Sequence, residues 1–287
     1  MVKGWMSLPL RYNPLMDAHR HIPDQNRMSV LMAVILLAYA LTRVINAPDS
    51  IFRFHLGDLP LAFSLNINMA FSVLAGGLAA SGVDWLLRDH PAIQQGRTLE
   101  HWLLPTLTAL IIGVALYAMP SGLNWWVGFV LGGVLLLVVF NSEYAAVDPQ
   151  DRRYPLAMVT LTALSYALVL ILAVAVRSSG IRLVLLAPAL FITSGLCALR
   201  NLHLRLNERW EFGWAVGIAL VATQLGTALH YWPITPVQYG LAVLGPVYAL
   251  TSLAARLLEE DAPTRRAWLE PAVQLGLIWG LAILLPR

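Results

Sequence analysis

The stretch Leu123–Phe140, LNWWVGFVLGGVLLLVVF, contains no Asp, Glu, Lys, Arg or Pro. A helix of about 20 apolar residues crosses the roughly 30 Å hydrocarbon layer of a bilayer. Because lipid cannot satisfy backbone polar groups, such a segment must form its own hydrogen bonds as a helix. The stretch therefore predicts a transmembrane helix. Segments of this kind recur along the chain, at about 28–46, 61–87, 99–118, 122–142, 155–176, 182–199, 211–230, 237–257 and 268–285.

The composition agrees with this pattern. The 287 residues are 58% hydrophobic and 12% charged, with a mean hydropathy of +0.67, whereas soluble domains carry about 25% charged residues. We therefore predict an all-α integral membrane protein with about nine transmembrane helices. Residues 1–27 form a cytoplasmic N-terminal segment and residues 28–287 a single polytopic domain. The sixth and ninth segments are the shortest, so eight spans with one re-entrant segment is the alternative.

Basic residues are concentrated on one side of the predicted helices. With a cytoplasmic N-terminus, 14 of the 19 Lys and Arg residues fall in cytoplasmic segments, and the outer turns at about 119–123 and 230–237 contain none. This asymmetry follows the positive-inside rule. We predict an inside N-terminus and an outside C-terminus, in a bacterial inner membrane. The topology accounts for the net charge of +3, so no nucleic-acid partner is expected.

The chain resembles itself at two periods. A shift of 113 residues aligns 113–153 with 226–266, with 12 of 41 positions identical. A leucine followed by a small residue and then Gly or Pro also recurs every 55 to 58 residues, in the even-numbered helices. The pattern predicts tandem αα-hairpin repeats; chance alignment of apolar helices is the alternative. The predicted units are 28–98, 99–154, 155–210 and 211–267, with a closing helix at 268–287.

Glycines four residues apart occur in three predicted helices. Small residues at this spacing let helix backbones approach closely in membranes. We expect them mainly to pack the bundle internally, with binding to a partner as the alternative. The pairs are Gly128/Gly132, Gly213/Gly217 and Gly276/Gly280. Pro188 and Pro246 fall inside predicted helices, where proline removes a backbone hydrogen bond and produces a kink.

Polar residues inside or beside predicted spans are candidates for function, because burying them in lipid is costly. Arg43 lies in the outer part of the first helix, where Asp49 or Asp58 could pair with it. An external site for an ion or anionic ligand would use Arg43, Arg53, His55 and Asp58. The amides Asn66, Asn68 and Gln224 would either form interhelical hydrogen bonds or line a transport path.

A second group lies near the predicted cytoplasmic face. Asp84 and Arg88 are four residues apart on one helix, which is the spacing of an ion pair. Glu100 and His101 begin the third helix, and Glu143 ends the fourth. Asp84, Glu100, His101 and Glu143 could together supply a carboxylate–imidazole metal site, a proton relay or an active site. Alternatively, the acidic residues simply favour helix N-termini.

The sequence predicts no cofactor and no resident metal. Its single cysteine, Cys197, excludes an intramolecular disulfide and a cysteine-rich metal site. All seven histidines fall in loops, at helix ends or before the first span, whereas a membrane haem needs a histidine well within the bilayer.

Three functions are compatible with these observations. The first is a non-enzymatic membrane scaffold or accessory subunit, whose partners are lipids and possibly other membrane subunits. The second is a transporter of a small solute or ion, which predicts a polar cavity near the middle of the membrane. The third is an intramembrane enzyme acting on a lipid-linked substrate, which requires Asp84, Glu100, His101 and Glu143 to converge.

Overall fold

The structure is a computed structural model. It describes residues 23–45, 50–56, 59–65, 67–88, 90, 93, 98–206, 209–259 and 264–286. Of residues 50–56, 59–65, 67 and 264–267 the backbone alone is considered.

Long apolar helices make up most of the described chain. They are α1 (Gln25–Val44), α2 (Ile67–Leu87), α3 (Leu99–Ala118), α4 (Leu123–Ala145), α5 (Tyr154–Ser178), α6 (Leu183–Arg205), α7 (Phe212–Leu229), α8 (Pro236–Leu258) and α9 (Thr264–Leu284). Among the described residues, 8 helices have the length and hydropathy to cross a membrane. The apolar part of α9, Trp268–Leu284, is shorter. The prediction of a multi-pass helical protein is thus confirmed at the level of eight or nine long apolar helices.

The predicted second segment, 61–87, is wrong at its start. Strand β1 (Ser50–Leu56) pairs with strand β2 (Leu59–Leu65) in an antiparallel hairpin, and α2 begins only at Ile67. The sequence LPLAFSL of β2 alternates large apolar residues with smaller or polar ones, as does FRFHL (52–56) in β1. This period of two is typical of a strand. A hydropathy average over a long window does not detect this alternation, so the predicted helix begins too early, at residue 61.

The helices alternate in direction. We call the end of the bundle at which α1 begins the proximal end; odd-numbered helices begin there and even-numbered helices end there. At this end Nη1 of Arg27 in α1 donates to the carbonyl oxygen of Trp85 in α2, at 3.1 Å. At the opposite, distal end Arg177 of α5 donates to the carbonyl oxygens of His230 and Trp232, at 2.6 and 2.9 Å.

Helix α3 is the centre of the bundle. Its residues Ala109, Ile112 and Leu116 pack in a core with α1, α2 and α4. Leu104, Leu107 and Ile111 pack in a second core with α5, α6, α7 and α8. Because lipid is as apolar as these side chains, close fit rather than exclusion of water holds such helices together.

A small residue permits the closest approach of α2 and α3. A Cβ added to Gly113 would lie 2.3 Å from Ser72 Oγ and 3.2 Å from Ser72 Cα. Only glycine therefore fits this α3 position without moving α2. The Tyr39 hydroxyl of α1 also donates to the carbonyl oxygen of Ala109, at 2.6 Å, so that α3 is fixed from two sides.

Candidate functional site

Buried charges of three helices meet at the proximal end of the bundle. Glu100 and His101 lie in the first turn of α3, Glu143 in the last turn of α4, and Arg200 and His203 near the end of α6. We call these five residues the proximal cluster. Helix α4 packs mainly on α3 and α5, and helix α6 packs mainly on α7 and α5. The cluster therefore links α4 to α6, two helices that are not main packing neighbours.

Glu143 is the centre of the proximal cluster. Its Oε2 lies 2.7 Å from Nη2 of Arg200 and 2.7 Å from Nδ1 of His101. Because an ionised carboxylate can only accept hydrogen bonds, Nδ1 of His101 is the donor in this contact. Two donors thus converge on one carboxylate oxygen, which is the arrangement that a buried negative charge requires.

Glu100 links the two histidines. Its Oε2 lies 2.9 Å from Nε2 of His203, and its Oε1 lies 3.7 Å from Nε2 of His101. The side chain of Glu100 is 25% exposed, whereas that of Glu143 is 1% exposed. His101 therefore lies between a carboxylate at the edge of the bundle and one inside it. The ring of His203 also stacks on Trp210, with centroids 4.0 Å apart.

Some buried polar atoms of the cluster have no hydrogen-bond partner among the described residues. They include Oε1 of Glu143 and Nε of Arg200. These two atoms belong to the same ion pair, and a side-on, two-point contact between guanidinium and carboxylate uses this second pair of atoms. The described contact between the two groups is the single one from Nη2 to Oε2, so Oε1 and Nε have no partner among the described residues.

The cluster is built to hold helices together. Its described side-chain hydrogen bonds join its own members, and the main grooves of the described chain are lined by other side chains. No group of three or more His, Cys, Asp or Glu residues in the described part of the chain has the geometry to hold a metal ion. The arrangement is an ion-paired clamp across α3, α4 and α6.

The structure brings together three of the four residues predicted for the proximal end. Asp84 is separate: its Oδ2 pairs with Nη2 of Arg88 at 3.1 Å, as the spacing predicted, and its Oδ1 accepts from the Thr98 hydroxyl at 2.9 Å. Glu100, His101 and Glu143 do converge. Three of the four predicted side chains therefore lie together, and the fourth, Asp84, contacts Arg88 and Thr98 instead.

Sequence reasoning missed Arg200 and His203. The predicted sixth helix ended at residue 199, which placed both in a cytoplasmic loop. The apolar pattern continues through Leu199, Leu202 and Leu206, however, and α6 extends to Arg205. Arg200 is only 1% exposed. Because the prediction assigned every Arg near a helix end to a loop, it did not identify Arg200 as the partner of Glu143.

The predicted external site is described only in part. Arg53 and His55 lie in β1, while Asp49, Asp58 and Asn66 lie outside the described residues. Arg43 itself donates through Nη1 to the Ser121 hydroxyl at 3.3 Å, and its guanidinium lies 4.9 Å from the ring centroid of Trp125. Its described contacts therefore tie α1 to the start of α4.

The remaining predicted amides do not meet. Asn68 is half-buried in the first turn of α2, while Gln224 of α7 is exposed. The carbonyl oxygen of Asn68 accepts from the Ser72 hydroxyl, and that of Gln224 from the Thr227 hydroxyl.

The glycine pairs divide into two kinds. A Cβ on Gly132 would lie 2.7 Å from Cγ2 of Ile112 in α3, so the pair on α4 packs internally, as predicted. At Gly213, Gly217, Gly276 and Gly280 a Cβ would meet nothing within 4 Å. For α7 and α9 the prediction of internal packing is wrong, because a Cβ at these glycines would contact no other described residue. Gly213 and Gly217 line a groove of about 440 Å³ with Leu250 of α8.

The long apolar helices, held together by the ion-paired clamp, identify a multi-pass helical membrane protein. The chain belongs to the family described as "Protein of unknown function (DUF5656)", which matches residues 46–285. No curated protein and no solved structure matches the chain.

Proposed function

We propose that this protein is a non-enzymatic membrane scaffold or accessory subunit, which binds transmembrane helices of partner subunits through α7 and α9. One observation carries the proposal: both helices have a Gly-x3-Gly pair at which a Cβ would meet nothing within 4 Å.

Helix α7 has two distinct faces. Ala215, Ile218, Ala219 and Ala222 are buried against the bundle. Gly213, Val216, Gly217 and Leu220 are exposed. Small residues on the outer face of a peripheral helix have no packing role within the chain.

Glycine at these positions needs a reason. In a helix interior it costs about 1 kcal/mol relative to alanine, and towards lipid it gives up the side-chain contacts that a larger residue would make. A pair four residues apart recovers this cost when a second helix packs across it, because the two backbones then come into close contact. The groove beside Gly213 and Gly217 supports this role, since it has the concave form that receives the ridge of another helix.

The other two hypotheses receive less support. A transporter should contain a polar path near the middle of the membrane, but Gln224 is directed outward and the groove between α6 and α7 is lined by apolar residues and Gly195. An enzyme should offer its polar atoms to a substrate. In the proximal cluster Glu143 is 1% exposed and its Oε2 is shared by two donors.

We further propose that the proximal end is cytoplasmic and that the protein resides in a bacterial inner membrane with nine crossings. Basic residues at described helix ends support this orientation. The proximal end has Arg27, Arg88, Arg152, Arg153, Arg205, Arg209 and Arg256, and the distal end has Arg43, Arg177 and Arg182.

The 113-residue repeat is also part of the proposal. Gly113 of α3 packs against Ser72 of α2, and Gly226 of α7 packs against Leu190 of α6. Each glycine thus contacts the helix that precedes its own, as expected if α5–α8 repeat the packing of α1–α4.

Gentle extraction from the host, followed by native mass spectrometry, tests the scaffold function. The wild type should carry a second polypeptide, or a second copy of itself, at fixed stoichiometry. Gly217→Leu should release it, since the added side chain meets nothing in its own chain but blocks close approach. Gly77→Leu on α2 is the matched control, because a Cβ there also meets nothing within 4 Å and no glycine follows four residues later. A wild type without any bound polypeptide would contradict the proposal.

A further inference from the structure

A groove of about 400 Å³ lies between α4 and α5 at the proximal end. Leu137 and Val138 of α4 and Leu156 and Ala157 of α5 form its apolar walls. Arg153, which immediately precedes α5, lies at its proximal end. The groove is therefore mainly apolar and has a cation at its mouth.

The groove has the depth of one lipid leaflet. From Ala145 to Leu137 it follows α4 over eight residue steps, or about 12 Å at 1.5 Å per residue. Half of the hydrocarbon layer is about 15 Å thick. Arg153 thus lies at the level of the headgroups, and the walls follow an acyl chain through most of its leaflet.

Two polar wall residues form hydrogen bonds within their own helices. The side-chain amide of Asn141 donates to the carbonyl oxygen of Leu137 at 2.8 Å, and the Thr160 hydroxyl donates to that of Leu156 at 2.8 Å. The guanidinium of Arg153 has no ion-pair or hydrogen-bond partner among the described residues. It is exposed and lies beside the N-terminus of α5, whose dipole also favours an anion.

We propose that this groove binds an anionic phospholipid, with an acyl chain between α4 and α5 and the phosphate at Arg153. A mainly apolar channel of leaflet depth fits an acyl chain, and the exposed guanidinium of Arg153 fits an anionic headgroup. A zwitterionic phospholipid would fill the same channel, but its ammonium group would offset the attraction at Arg153. This inference does not depend on the scaffold function.

The adjacent loop provides a matched control. Asp148, Asp151, Arg152 and Arg153 together carry no net charge. The attraction of an anionic headgroup must therefore depend on where each charge lies rather than on the net charge of the loop. Arg153 lines the groove, whereas Arg152 does not. The Asp151 carboxylate accepts the backbone N–H of Arg153 at 2.8 Å, which holds it at the loop.

Native mass spectrometry of the full-length protein with equal amounts of dioleoyl phosphatidylglycerol and dioleoyl phosphatidylcholine tests the proposal. The wild type should retain the anionic lipid about fivefold better, which corresponds to about 1 kcal/mol for one basic residue near the surface. Arg153→Gln should abolish this preference, and Arg152→Gln should preserve it. Thr160→Trp, which fills the deep end of the groove, should lower retention of both lipids.

Several outcomes would overturn the proposal. They are the absence of a preference in the wild type, equal losses in Arg152→Gln and Arg153→Gln, and unchanged retention in Thr160→Trp. Soluble glycerol phosphate serves as the headgroup without acyl chains. If it displaces the anionic lipid at equal concentration, Arg153 binds free anions and the groove has no part in recognition.

Discussion

The first turns of α3 and α7 lie at the same end of the bundle but have opposite surroundings. In α3, Glu100 and His101 join the proximal cluster, and His101 is 7% exposed. In α7, Gly213 and Trp214 face outward, and Trp214 is 38% exposed. The 113-residue shift aligns these two pairs of residues with each other. The first turn of α3 links α3, α4 and α6 through hydrogen bonds. The first turn of α7 leaves Gly213 and Trp214 exposed.

The difference follows from what surrounds each helix. Helix α3 has neighbours on both sides, because it contributes to both apolar cores. Polar groups on its first turn therefore need partners from α4 and α6. Helix α7 packs mainly on α6 and α8, so its outer face has no neighbour to match. Buried charges lie where the chain's own helices are held together, and exposed glycines lie on the face for which we propose a partner.

Removal of the Glu143 carboxylate should cause the largest loss of stability among the changes that test this difference between α3 and α7. Glu143→Leu leaves Arg200 buried without its anion, and breaking one partner of a buried ion pair typically costs about 3–5 kcal/mol. We expect the free energy of unfolding in detergent to fall by about this amount. Denaturant titration followed by circular dichroism measures it.

The double variant Glu143→Leu/Arg200→Met is the control for that experiment. It replaces both charges with apolar groups of similar size, and such replacements are often neutral or stabilising. Most of the lost stability should therefore return. If the double variant is no more stable than Glu143→Leu, the loss comes from packing and the clamp is not ionic in origin.

Substitution of Gly113 or Gly217 by leucine should distinguish a buried helix face from an exposed one. The expected change in stability is the second largest. At Gly113 a Cβ would lie 2.3 Å from Ser72 Oγ, and overpacking of this kind costs about 1–3 kcal/mol or more. At Gly217 it meets nothing. Gly113→Leu should lower the thermal midpoint of the isolated chain, whereas Gly217→Leu should leave it unchanged or raise it slightly, because leucine favours helix. Equal destabilisation by both would place the Gly217 face inside the bundle.

Much of the fold follows from hydropathy, but the contrast between α3 and α7 does not. Runs such as Leu123–Phe140 define a spanning helix wherever they occur, since lipid demands helix. The hairpin 50–65 was missed because its alternation is averaged out in a long window. Arg200 was missed because a basic residue near a helix end looks the same whether it faces water or a carboxylate on another helix. Nor does a Gly-x3-Gly pair indicate which side of its helix is covered.

The smallest effect should come from the proximal carboxylate that lies outside the cluster. Asp84 pairs with Arg88, whose side chain is 69% exposed, and exposed pairs at this spacing contribute about 0.3–0.5 kcal/mol. Asp84→Asn should therefore change the free energy of unfolding by less than about 0.5 kcal/mol. Glu100→Gln should cost more, about 1 kcal/mol, because it weakens the hydrogen bond to the buried ring of His203. The same denaturant titrations compare the two variants. If Asp84→Asn proved the more damaging, the important boundary at this end would lie between α2 and α3, and the clamp would not be centred on Glu143.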